Sequence, residues 1–121
     1  MAATLPDGTT VELRPLAQGI CARYRVEFPD EEERYGDAGH EWCVHDNQHI
    51  LHWAVLEVRG SEGLLARQIA WLSRVLAARA FPLERLRRDL ELAAEAARAE
   101  HPNEPRLAEV LRDAARGVSH G

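Results

Sequence analysis

Glu41–Val55 reads EWCVHDNQHILHWAV, and with His40 just before it, four of the chain's six histidines fall within thirteen positions. At about 100° per residue, one side of this stretch and its continuation gathers Trp42, Asp46, His49, Trp53 and Leu56. Another side gathers Val44, Leu51, Ala54, Val55 and Val58, which leaves a narrow polar stripe of Glu41, His45, Gln48 and His52 for water. A helix that is apolar on two sides is buried on two sides, so Asp37–Val58 is predicted to be the central element of the fold.

Working outward, Leu16, Ile20, Tyr24 and Phe28 recur every four positions and predict a first helix from Pro15 that Pro29 stops. Residues 29–36 read as an acidic loop or a single turn ending at Gly36. Residues 1–14 open with a Pro-Asp-Gly turn signal and a short alternation, Thr9, Val11, Leu13, expected to form an extended lead-in or at most one strand. On the other side, Gly60–Gly63 is a turn with Ser61 as the expected N-cap. A third helix runs to about Ala80 on a stripe of Leu64, Leu65, Ile69, Trp71, Leu72, Val75 and Leu76, with Arg67, Ala70, Arg74 and Ala77 facing outward. Phe81-Pro82 ends it and starts a fourth helix with Leu83, Leu86, Leu90, Ala93, Ala94 and Ala97 on one face. The HPNEP segment at 101–105 links it to a fifth helix from Pro105, carrying Leu107, Val110, Leu111 and Ala114. The expected architecture is all-α: one helical domain over 15–116, about five helices in a bundle or globin-like packing around a buried central helix, and a flexible tail at 117–121.

At 121 residues and 13.6 kDa the chain suffices for one core and no second domain. No apolar run is long enough for a bilayer. The N-terminus lacks the basic start and apolar core of a secretory signal, which places the chain in the cytoplasm. Two cysteines in that setting do not make a disulfide framework. Cys21 and Cys43 read as small buried thiols, with a Cys43–His40 nucleophile pair as the sharper alternative.

The net charge is −5, and all fifteen basic residues are arginine. The arginine and alanine richness fits a GC-rich genome. The acidic balance weighs against nucleic-acid binding, for which Arg67, Arg74, Arg85 and Arg88 would be the candidates. Charge is uneven: Glu27–Asp37 holds six acids against Arg34, and Arg67–Arg88 holds six arginines against Glu84. Such blocks are either solvated faces or surfaces complementary to a partner.

The histidines pose the functional question. Glu41 and His45 are one turn apart and can meet one ion, but His52 lies roughly 10 Å farther along the axis, so a metal needs ligands from another helix. His49, between Trp42 and Trp53, is predicted to be buried. A buried imidazole needs a partner: a backbone carbonyl, Gln68 or Asp46 in the simpler case, a haem iron or a flat organic ligand in the sharper one. The candidate ligand-binding residues are therefore His49, Trp42, Trp53, His45 and His52, with no metal site and no cofactor assigned. Arg79 is expected either to cap the third helix or to pair with Asp46. No nucleophile elbow, phosphate loop or two-helix carboxylate pair is present, which argues against an enzyme.

Trp71, Leu72, Val75, Leu76, Arg79 and Pro82 in WLSRVLAARAFP form a helix ending that resembles bacterial helical sensor domains. These are the non-haem globin-like N-terminal domains of stressosome RsbR-type proteins and the helical segments that accompany cobalamin-binding regulators. Their preceding helix carries an acid, a histidine one turn on and an apolar step. His45, His49 and Trp53-Ala54 occupy those places here, with the acid either replaced or shifted to Asp46, and the resemblance spans about residues 37–90. It implies a sensory or protein-interaction domain without catalytic chemistry. Such domains precede an output domain, and this chain ends without one, so the resemblance places the output in a separate partner. The resulting expectation is a small cytoplasmic regulatory module that acts on a protein partner through the acidic loop or the Arg67, Arg74 face, with a homodimer as one form and a small ligand near Trp42, His49 and Trp53. The alternative is a haem- or metal-binding protein using the His40–His52 helix.

Overall fold

The structure is a computed structural model that describes residues 1–118. Five helices carry the fold: α1 (Leu13–Glu27), α2 (Asp30–Val58), α3 (Leu64–Ala78), α4 (Leu83–Glu100) and α5 (Pro105–Arg116). The all-α expectation holds, with one addition at the N-terminus. The segment expected as a lead-in is a hairpin of β1 (Ala2–Thr4) and β2 (Thr10–Glu12), antiparallel, with Ala3 opposite Val11. Gly8, at φ 90°, makes the turn, and the Asp7 side chain accepts the Thr9 amide at 2.9 Å. The hairpin persists because Leu5 and Val11 are buried in the common core.

Helix α1 begins two residues earlier than Pro15 predicts, because Leu13 is fully buried and Pro15 still lies in the first turn, where no amide donor is needed. The larger correction is at 29–36. The acidic stretch is helical and forms the first turns of α2, which bends at Gly36 (φ 59°, ψ −150°). Asp30, Glu31, Glu32 and Glu33 occupy the first turn, where carboxylates stabilise the positive end of the helix dipole. Gly39 sits directly against the Tyr35 side chain, with no room for a Cβ.

Helix α2 packs on α1, α3, α5 and β1, and so is the central element. Its buried face is rotated from the predicted one. Asn47 and Gln48 are buried, whereas Trp42 is 60% exposed. His49, expected to be buried, is half-buried, as are His52 and Trp53, and His45 is exposed.

Ser61 does not cap α3. Gly63, in the left-handed conformation, precedes it, and the Glu57 carboxylate, reaching from the end of α2, accepts the Leu65 amide at 2.9 Å. Trp71 lies outside the buried stripe of α3, 49% exposed. The helix ends with Ala80 at φ 59° and the Phe81 amide bonded back to the Leu76 carbonyl, the six-to-one bond of a Schellman ending. Helices α4 and α5 make the most extensive pair in the fold. Beyond α5, Val118 is buried in the core, so the tail expected from 117 is anchored at its start, and the rest of it lies outside the described residues.

Candidate functional site

A half-open cleft of about 260 Å³ lies between α1, α2, the C-terminal half of α3 and the start of α4. Ile50, Leu72, Leu76 and Leu86 give it apolar walls, and Tyr24, Tyr35, Trp42 and Phe81 supply aromatic ones. The Schellman ending of α3 positions part of this wall, because it turns the chain at Ala80 and brings Phe81 round beside Leu76.

The charged side is locked within the chain. Arg85 of α4 meets Glu31 at 2.6 Å and Asp30 at 2.9 Å, and its guanidinium stacks 4.6 Å from the Phe28 ring centroid. Burial opposes the charge on Arg85, but the hydrogen bonds to Asp30 and Glu31 outweigh it and hold the guanidinium pKa above its usual value. Tyr24 donates to Glu31 at 2.9 Å, and its phenol is raised by burial and by that acceptor. One turn on, Arg88 grips Glu27 at 2.7 Å. The acidic and basic blocks of the sequence thus complement each other inside one molecule, which sets the acidic turn of α2 onto α4.

The floor of the cleft carries two buried polar side chains, Asn47 (2% exposed) and Asp89 (7% exposed). Asn47 Nδ2 donates to the Cys43 carbonyl and to Asp89 Oδ1, each at 3.0 Å, and both of its hydrogens are thereby engaged. Asn47 Oδ1 is buried and has no partner among the described residues. Such an orphan costs about 1–3 kcal/mol and calls for an explanation. Burial pushes the Asp89 carboxyl up to about 7, with the Asn47 hydrogen bond pulling down and the Asp46 charge adding to the rise. Burial also raises Asp46, against the charges of His45, His49 and Arg79.

The two cysteines, expected as thiols, form a disulfide that ties α1 to α2 beside this floor, with Asn47 Nδ2 at 3.5 Å from both sulfurs. Cys43 is therefore held as half of a disulfide and is no nucleophile in this state.

Of the expected ligand residues, Trp42 lines the cleft. His49 and Trp53 lie farther along the same side of α2, with rings 5.9 Å apart, and His45 meets His49 edge-on at 4.6 Å. No histidine contributes to the cleft wall, and among the described residues no three His, Cys, Asp or Glu side chains converge where a metal could sit. Arg79 stands at the end of α3 on the cleft edge, close enough to act on Asp46 through space.

Asn47 and Asp89 carry a signal visible in the sequence. Asn47 interrupts the run Val44, Leu51, Ala54, and Asp89 sits beside Leu90 on the apolar face of α4. A polar residue inside an apolar stripe marks either a buried network or a site. Fold and cleft together define a small helical domain with a half-open apolar and aromatic cleft over two buried polar side chains. Comparison of the chain with protein-family models, curated proteins and solved structures finds no significant match.

Proposed function

We propose that this protein is a small regulatory or sensory module, without catalytic activity, that binds a small organic ligand in the cleft and acts on a protein partner. The observation that carries this reading is the Asn47–Asp89 pair: two buried polar side chains, one with an unpartnered oxygen, at the bottom of an otherwise apolar and aromatic cleft. Few convergent polar groups in a concave apolar space are the usual composition of a small-molecule site. The link to a partner is α3. Leu72 and Leu76 line the cleft, whereas Arg67, Trp71 and Arg74 are exposed on the outside of the same helix. A partner surface with acidic groups around an apolar patch suits that face by charge and by the Trp71 ring.

The test is a fragment screen by ligand-observed NMR against the wild type and Leu72→Trp, which fills the cleft. Compounds that bind the wild type and lose binding to the variant support the reading. A screen in which every binder fails to distinguish the two proteins removes the cleft as the ligand site.

A further inference from the structure

The hydrogen-bonding inventory of the cleft is one-sided. The donors on its more deeply set side chains are committed, namely both Asn47 Nδ2 hydrogens, the Tyr24 hydroxyl on Glu31, and the Arg85 guanidinium on Asp30 and Glu31, whereas the Tyr35 hydroxyl, the Trp42 indole N–H and the Arg79 guanidinium belong to its more exposed lining. What remains at the floor are acceptors, namely Asn47 Oδ1, the second Asp89 oxygen and the Asp46 carboxylate. The charged and titratable groups around the space are Tyr24 from α1, Glu31, Tyr35 and Asp46 from α2, Arg79 at the end of α3, and Arg85 and Asp89 from α4. Arg85 is neutralised by its two carboxylates; His45, His49 and Arg79 act on Asp46, and of these Arg79 alone lines the cleft, on its exposed edge.

We propose that the ligand of the cleft is a small organic cation, an ammonium on an apolar body, whose N–H groups meet Asn47 Oδ1 and the Asp89 carboxylate while its body lies among Tyr35, Trp42 and Phe81. The assignment rests on the cleft being a ligand site and names what that site takes. An anionic ligand would place its charge against Asp46 and Asp89 and leave Asn47 Oδ1 without a donor. A neutral apolar ligand would also leave it orphaned, at the cost such groups carry. An ammonium is donor-only, and aromatic faces attract cations. The volume of about 260 Å³ suits a molecule of fragment size.

Binding has a proton partner. With the cleft empty, burial favours the protonated Asp89 carboxyl, and Asn47 Oδ1 stays without a partner. The ammonium takes the place of that proton: Asp89 gives H⁺ to solvent, and the carboxylate pairs with the cation, with no other bond formed or broken. Affinity therefore rises with pH up to about 7, by at most about tenfold per pH unit, and then levels.

The probes are 2-phenylethylammonium, 2-phenylethanol and phenylacetate, which share a body and differ in charge, titrated by calorimetry at about pH 6 and about pH 8. The expected result is binding of the ammonium with affinity at least about fivefold higher at the upper pH, and about tenfold or more weaker binding of the alcohol and the acid. Asp89→Asn, close to isosteric and checked for folding by circular dichroism, should weaken the ammonium about tenfold and flatten its pH dependence. Asp46→Asn should weaken it while leaving that dependence in place. Equal binding of the three probes, preference for the acid, or an Asp89→Asn protein that binds the ammonium unchanged would overturn the cation assignment. If the alcohol or the acid binds and Leu72→Trp blocks it, the cleft stands as a ligand site and its chemistry is not cationic. If none of the three binds the wild type, the cation assignment falls, and the fragment screen alone decides the cleft.

Discussion

Asp89 is where one side chain sets a property of the whole protein. Its folded-state value of about 7, against an ordinary 3.8, means that the unfolded chain gives up this proton first as pH rises. Its share of stability is thus whole below about pH 4, declines as pH climbs, and is gone by about pH 7, where the folded carboxyl ionises too. Asp89→Asn removes the buried charge while keeping an acceptor for Asn47 Nδ2. Urea denaturation is expected to find the variant more stable than the wild type by about 1–3 kcal/mol near pH 8, with the two converging near pH 4. A variant that is less stable at both values would mean that the Asn47–Asp89 bond draws its strength from the charge.

The same residue shows what the sequence could tell. Asp89 and Asn47 break apolar stripes visibly, but periodicity says only that a polar group is inside, never that two such groups from helices 42 positions apart meet. The histidines drew attention by number, and number is no guide to convergence. His45, His49 and Trp53 line up along the helix they share and, among the described residues, meet no ligand set from a second one, whereas the cleft draws on four elements.

At the scale of the element, α2 shows why boundaries misled. A run of four acids after a proline resembles a solvated loop, yet those acids favour a helix start, and Gly36 permits the bend that joins the turn to the long helix. The central place of α2 was legible because burial on two sides writes itself into spacing. Its rotation was not, since Trp42 and Trp71 are large apolar side chains that packing leaves outside. The backbone at Gly36 lies in a region essentially closed to other residues. Gly36→Ala is expected to cost about 1–3 kcal/mol by chemical denaturation and to loosen the acidic turn, read as faster proteolysis near residues 30–36. Unchanged stability would show that the bend relaxes freely.

At the scale of the molecule, the charge blocks act as an internal clamp. The Arg85 and Glu31 side chains are only 15% and 13% exposed, so the pair is shielded from solvent more than a surface bridge, and its loss strands two acids beside Phe28 and Tyr24. Arg85→Leu should cost about 2 kcal/mol, less than a fully buried pair because Asp30 remains 37% exposed. Thermal melts across salt concentrations check this: the deficit should persist at high salt, whereas a deficit that vanishes there would belong to a screened surface contact.

The disulfide gives the cleft a handedness in its mechanics. Cys21 and Cys43 fasten α1 to α2 beside the floor, and Arg85 and Arg88 tie α4 to the acidic turn and to the end of α1. Three walls are therefore one frame. Helix α3 rests on α2 with lighter contacts to α4 and α5, held by Leu65, Ile69 and Leu72 in the core and by the Glu57 carboxylate at its start. The wall outside that frame is the one that carries Trp71 on its outer side.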